Sequence, residues 1–169
     1  MDGAEKHYRA ALKVDPGFAA SRANLGRLLF ARGAMDDAKE QFLRLTEVAP
    51  SEIAGFSGLV DSLLRLGREG EADDVLAKAR ARFGETEEFL LLHGRQLLRR
   101  GAFLEAEQVF GRVSGSADKE RRASAWAWIS VSRLERNERE GARAAAFESQ
   151  KLDANNPVAG FVAGRLAAR

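Results

Sequence analysis

The stretch that decides the fold runs from residue 19 to residue 52: AASRANLGRLLFARGAMDDAKEQFLRLTEVAPSE. Leu25, Leu28, Leu29 and Arg32 follow i, i+3, i+4, i+7 spacing, which predicts a helix whose stripe turns polar just before Gly33. Gly33 tolerates the positive φ of a helix stop, and Asp36 and Asp37 then place acid at the start of a second helix, where the dipole favours it. Ala38, Phe42, Leu45 and Val48 mark one stripe of that second helix. Pro50 ends it, and Ser51 is the expected N-cap of whatever follows.

Working outward, the same pattern returns along the whole chain. Ala4, Ala38, Ala72, Ala106 and Ala142 form one column, with steps of 34 residues and a last step of 36. Gly33, Gly67, Gly101 and Asn137 keep that spacing, as do Leu25, Leu59, His93 and Ile129. A fourth column holds Tyr8, Phe42, Leu76, Phe110 and Ala146, while Pro16, Pro50, Gly84, Asp118 and Ala154 punctuate the boundaries. A fixed period of this length is the signature of a stacked repeat, in which each helix pair buries its apolar face only against a neighbour. The alanine column has a packing reason: antiparallel helices approach closely where one presents a small side chain, and Gly26 and Gly94 are the expected counterparts on the first helix. Thr86 is the expected N-cap of the third pair, with Glu87 and Glu88 in its first turn.

The 34-residue period resembles the tetratricopeptide repeat, most specifically in Asn24-Leu25-Gly26, Gly33, Asp37-Ala38, Phe42 and Pro50. The resemblance implies an all-α, right-handed solenoid of stacked antiparallel helix pairs with about ten helices. It divides the chain into a second half-repeat at 1–18, repeats at 19–52, 53–86, 87–120 and 123–156, and a first half-repeat at 157–169. The sequence then reads as a segment of a longer protein. His93, Val60, Ser130, Arg133 and Phe147 depart from the family pattern. With Arg133, Ala146 and Ser149 in core columns, the fourth repeat is expected to be the loosest.

Composition narrows the function. Hydrophobic residues at 45% and charged residues at 31% describe an ordinary globular balance, and no apolar run is long enough to span a membrane. There is no cysteine, so thiol catalysis, disulfides and cysteine-ligated zinc are excluded. His93 sits in the leucine column as a packing residue, and His7 has no spaced metal partner. Gly55-Phe56-Ser57-Gly58-Leu59 lacks the glycine two places after the serine that a nucleophile elbow needs, and no phosphate-binding glycine loop occurs. The expectation is no enzyme, no cofactor and no metal. A formal net charge of +2 offers little attraction to phosphates, so nucleic acid is not an expected partner. Arginine far outnumbers lysine, a bias that points to a GC-rich bacterial source.

In tetratricopeptide proteins the first helices of successive repeats line a concave groove, and the resemblance assigns its slots here. They include Arg27 and Phe30 in the first repeat, Asp61, Leu64 and Arg65 in the second, and Leu91, Arg95, Leu98 and Arg99 in the third. Leucines beside forked guanidinium donors suit a peptide or protein segment carrying acidic groups. The expected function is a protein-interaction scaffold, with the docking arm of a larger enzyme as the alternative. Trp128 is read either as packing between repeats or as an exposed anchor. Phe161, Val162 and Leu166 are expected to lie open on the terminal half-repeat and to favour self-association there.

Overall fold

The computed structural model describes residues 3 to 168; residues 1, 2 and 169, at the tips of the two expected half-repeats, lie outside the described residues. The described residues form ten helices: α1 (Gly3–Val14), α2 (Ala19–Ala31), α3 (Met35–Val48), α4 (Ile53–Arg65), α5 (Glu69–Phe83), α6 (Glu87–Arg99), α7 (Phe103–Gly111), α8 (Lys119–Glu135), α9 (Arg139–Leu152) and α10 (Pro157–Ala167). Each expected repeat is one helix pair.

The helices gather into two compact units, Met1–Gly84 and Glu85–Arg169. In the first, each of α1 to α5 packs on the next, and the first helices α2 and α4 also touch. In the second, α6 to α10 do the same, with α8 touching both α6 and α10. Within each unit first helices therefore stack on first helices, and α3, α7 and α9 are each wedged between two of them.

The turn column explains why the pairs close so regularly. Gly33, Gly67 and Gly101 have φ of 82°, 72° and 76°, and Asn137 replaces the glycine at φ 63°. Asparagine is among the few residues that enter this left-handed region at small cost, which is why the column survives its one substitution.

The fourth pair starts earlier than the period implies. Its first helix begins at Lys119 rather than near 123, because the Asp118 carboxylate accepts from the backbone N–H groups of Glu120 (2.9 Å) and Arg121 (3.0 Å) and so nucleates an extra turn. The preceding α7 stops at Gly111 and hands over to a turn that buries Val113. Ser51 is not a cap: Glu52 precedes α4 and its side chain makes no capping bond. Thr86 does cap α6, with its hydroxyl accepting from Phe89 N at 3.4 Å.

The alanine column is fully buried at Ala38, Ala72, Ala106 and Ala142. The glycines, however, serve the aromatic column rather than the alanines. A Cβ on Gly26 would stand 2.9 Å from the Phe42 ring, and one on Gly58 would stand 2.4 Å from it. A Cβ on Gly94 would come within 2.5 Å of the Phe110 ring. Val48, expected on the core stripe of α3, is instead 42% exposed at the helix end.

Candidate protein-binding faces

The first helices carry the residues that sequence reasoning assigned to a groove, and each unit is described by itself. In the first unit Arg27 and Arg65 are exposed, while Phe30, Asp61 and Leu64 are half-buried. Arg27 donates through Nη1 to Asn24 Oδ1 at 2.9 Å, one turn back on α2. The Arg65 guanidinium lies over the Phe30 ring, 5.8 Å from its centroid. At that distance the cation is within reach of the ring face.

In the second unit Leu91, Arg95 and Leu98 are half-buried and Arg99 is exposed. Leu91 and Leu98 pack against the buried cluster of Ala106, Phe110, Ile129 and Ala145, so their apolar surface is shared with the core. His93 stacks on Phe89 with centroids 5.7 Å apart, as expected of a packing histidine. Trp128 stacks on Phe110 at 6.4 Å and 18°, which settles it as packing; Trp126 joins the same cluster.

Sequence reasoning missed an ion-pair column. Glu5 on α1, with a side chain only 9% exposed, accepts from Arg32 Nη1 at 2.7 Å and from Arg9 Nε at 2.9 Å. Three repeats on, Glu107 on α7 binds Arg136 Nη1 at 2.5 Å and Arg133 Nη2 at 2.7 Å. Arg136 also pairs with Glu138. Each carboxylate reaches from a second helix to the last turn of the following first helix, so the pairs tie neighbouring repeats. The signal was available: Glu5, Asp73 and Glu107 share one period, and Arg32, Arg100 and Arg136 another. Hydrogen bonds from Arg9, and then from Arg32, hold the Glu5 carboxyl below its ordinary range.

The terminal helix corrects one expectation. Val162 and Leu166 are buried in a cluster with Ala127, Ala142, Ala146 and Ala159, because they form the face of α10 that meets α8 and α9. Phe161 alone of the three is exposed, with the Arg165 guanidinium 5.8 Å from its ring centroid.

Residues 1–57 match the family profile of the tetratricopeptide repeat. The matched stretch is thus similar to tetratricopeptide repeats. No curated protein matches it. Among solved structures, the thermophilic tetratricopeptide protein TTC0263 of Thermus thermophilus superposes with a TM-score of 0.79 at 17% identity, covering 97% of this chain and 87% of that one. The pilF protein of Pseudomonas aeruginosa gives 0.68 at 20% identity, over 88% of this chain and 67% of that one. YrrB, described as a tetratricopeptide protein with an unusual peptide-binding site, gives 0.57 at 19% identity over 95% and 81%. These likenesses place the fold among helical-repeat folds of the tetratricopeptide kind. Among the described residues no helix is long and apolar enough to cross a membrane, and no cluster of three or more His, Cys, Asp or Glu is placed to hold a metal ion.

Proposed function

We propose that this chain is a non-catalytic scaffold whose first-helix faces hold an extended or helical segment of another protein, one rich in acidic side chains. The observation that carries the reading is Arg65 over Phe30. An exposed guanidinium on a half-buried ring, with Leu64 beside it in sequence and Arg27 on the neighbouring first helix, offers a carboxylate a paired donor and an adjacent apolar side chain a seat. In the second unit Arg95 and Arg99 lie one turn apart on α6, with Leu91 and Leu98 on the same helix. The peptide-binding site named for YrrB lends the reading analogy and no more.

The experiment is a peptide array screened with the chain, comparing acidic amphipathic peptides with their charge-inverted counterparts. Preference for the acidic set, lost on Arg27→Glu with Arg65→Glu while helix content and unfolding midpoint are kept, supports the reading. Equal capture by the parent and the charge-reversed chain refutes it for the first unit, and the Arg95→Glu, Arg99→Glu pair asks the same of the second.

A further inference from the structure

Arginines in this chain are held in two ways. Where they tie one element to another they are held by carboxylates: Arg32 by Glu5 at 2.7 Å, Arg133 by Glu107 at 2.7 Å and Arg112 by Glu85 at 2.6 Å. Such a pair cancels the charge it fixes. The two exposed arginines on the first helices of the first unit are held by neutral groups instead. Arg27 Nη1 donates to Asn24 Oδ1 at 2.9 Å, and the Arg65 guanidinium lies 5.8 Å from the centroid of the Phe30 ring. Among the described residues neither has a carboxylate within ion-pair distance.

Asn24 is peculiar to the first repeat. Its column continues as Gly58, Leu92 and Trp128, none of which has a side-chain acceptor for a guanidinium one turn further on. The contact on α2 is local: side chains on a helix lean toward its N-terminus, so Arg27 reaches back over the residue three positions earlier on the same face. An amide oxygen occupies one N–H donor of the guanidinium and adds no formal charge. A carboxylate in its place would fix the side chain as well and neutralise it.

We propose that Asn24 sets the charge preference of the first unit's binding face, because it orders Arg27 through a neutral acceptor and so presents the cation at full charge. The inference rests on the peptide-binding reading and names a residue on which its preference for acid depends. Asn24 is a positioning residue that acts through Arg27. Ordering a long, rotamer-rich side chain before binding lowers the entropy lost on association, and leaving its charge uncancelled discriminates against basic segments. The two effects can be separated by substitution. Alanine removes the tether and leaves the charge, whereas aspartate keeps an acceptor and cancels the charge.

The probes are two labelled peptides, one of alternating Glu and Leu and one of alternating Lys and Leu. Each is titrated into the whole chain and followed through the amide resonances of α2 and α4, so that binding at the first unit is what is read. Asn24→Asp is nearly isosteric and similar in helix propensity, so the fold is kept. It should bind the Glu and Leu peptide about tenfold more weakly than the parent, with a flatter dependence on salt, as one like charge near the bound carboxylate requires. Asn24→Ala should lose only about two- to threefold, the scale of ordering one side chain, and keep the parent's salt dependence. Undiminished binding by Asn24→Asp would overturn the proposal and leave the peptide-binding reading intact. So would an equal loss in Asn24→Ala, since the asparagine would then be touching the peptide itself. A parent that does not prefer the Glu and Leu peptide refutes the reading, and the inference falls with it.

Discussion

The first and fourth complete repeats occupy the same columns with opposite chemistry. In the first, Phe42 fills the space between α2 and α4, and Gly26 and Gly58 withdraw their side chains to admit it. In the fourth, the aromatic column holds Ala146, 2% exposed, and the opposing glycine is Ser130, fully buried with its hydroxyl donating to Ala127 O at 2.6 Å. The first repeat sets a large side chain against none, and the fourth sets two small ones against each other. The intermediate case is the second repeat, where Val60 stands in the glycine column and Leu76 in the aromatic one. Phe42 with its glycine and Leu76 with Val60 bring similar summed volumes to the crossing, so the identities trade against each other, whereas Ala146 with Ser130 brings less.

The contrast predicts its own largest effect. Phe42→Ala removes a ring enclosed on two sides by backbone that cannot collapse onto the void, and the cost should be about 3–5 kcal/mol. Ala146→Gly, in the same column, deletes one methyl group and loses helix propensity, for about 1 kcal/mol. Denaturant titration followed by circular dichroism reads both, and tryptophan fluorescence isolates the second unit because Trp126 and Trp128 both lie on α8. Equal losses from the two substitutions would break the comparison.

Volume trading can be sharpened further in the third repeat. A valine at Gly94 would drive its side chain into the Phe110 ring, and Gly94→Val alone should cost about 1–3 kcal/mol through overpacking. Adding Phe110→Leu rebuilds the Val60 and Leu76 combination of the second repeat. The double variant should then be more stable than the sum of the two single losses predicts, a coupling that a double-mutant cycle measures directly. Additive losses would mean that the two columns do not share one cavity.

These particulars show what was legible in the sequence. The period, the turn column and the buried alanines could all be read, because each rests on a local requirement that a single position must satisfy. The glycine and aromatic pairing was misassigned because its two members are 16 residues apart on different helices, and only geometry shows which side chain enters which gap. Arg133 and Ser149 looked like damage in apolar columns. Arg133 is in fact paired with Glu107, and the Ser149 hydroxyl donates to Ala123 O at 2.8 Å, fully buried. Those two positions therefore supply no reason for the fourth repeat to be the loosest, while Ala146 against Ser130 still brings less volume than Phe42 against Gly26. The start of α8 was missed for a similar reason, since the period says nothing of the local capping power of Asp118.

A third prediction follows from that reversal. Ser149→Ala keeps nearly the same volume but leaves the Ala123 carbonyl without the hydroxyl, and should cost about 1 kcal/mol. The fluorescence-detected midpoint reads it. If Ser149 is merely a tolerated polar residue in a core column, the alanine variant will be as stable as the parent or more so, and repeat four will resemble repeat one in wanting only apolar volume there.

The smallest effect concerns pH and separates the Glu5 ion pair from the Asp118 helix cap. Glu5 and Asp118 both have carboxyl groups held below their ordinary values of 4.5 and 3.8: Glu5 chiefly by the Arg9 hydrogen bond, Asp118 chiefly by the backbone N–H of Arg121. A carboxyl that is more acidic folded than unfolded contributes stability that is fully present above its unfolded value. That contribution is lost as the pH falls through the unfolded value and on through the depressed folded one. Acidification should therefore loosen α1 first, since the carboxyl of Glu5 has the higher ordinary value and is the group that ties this terminal helix to Arg32. The extra first turn of α8, capped by Asp118, should follow at lower pH. Amide resonances of α1 and of residues 119–122 recorded from neutral pH downward read the two events separately. In Glu5→Gln the α1 resonances should already show the loosened state at neutral pH and lose their acid transition, while those of α8 keep theirs. Loss of both transitions together would show that the chain unfolds at acid pH as one body, and that neither carboxylate acts locally.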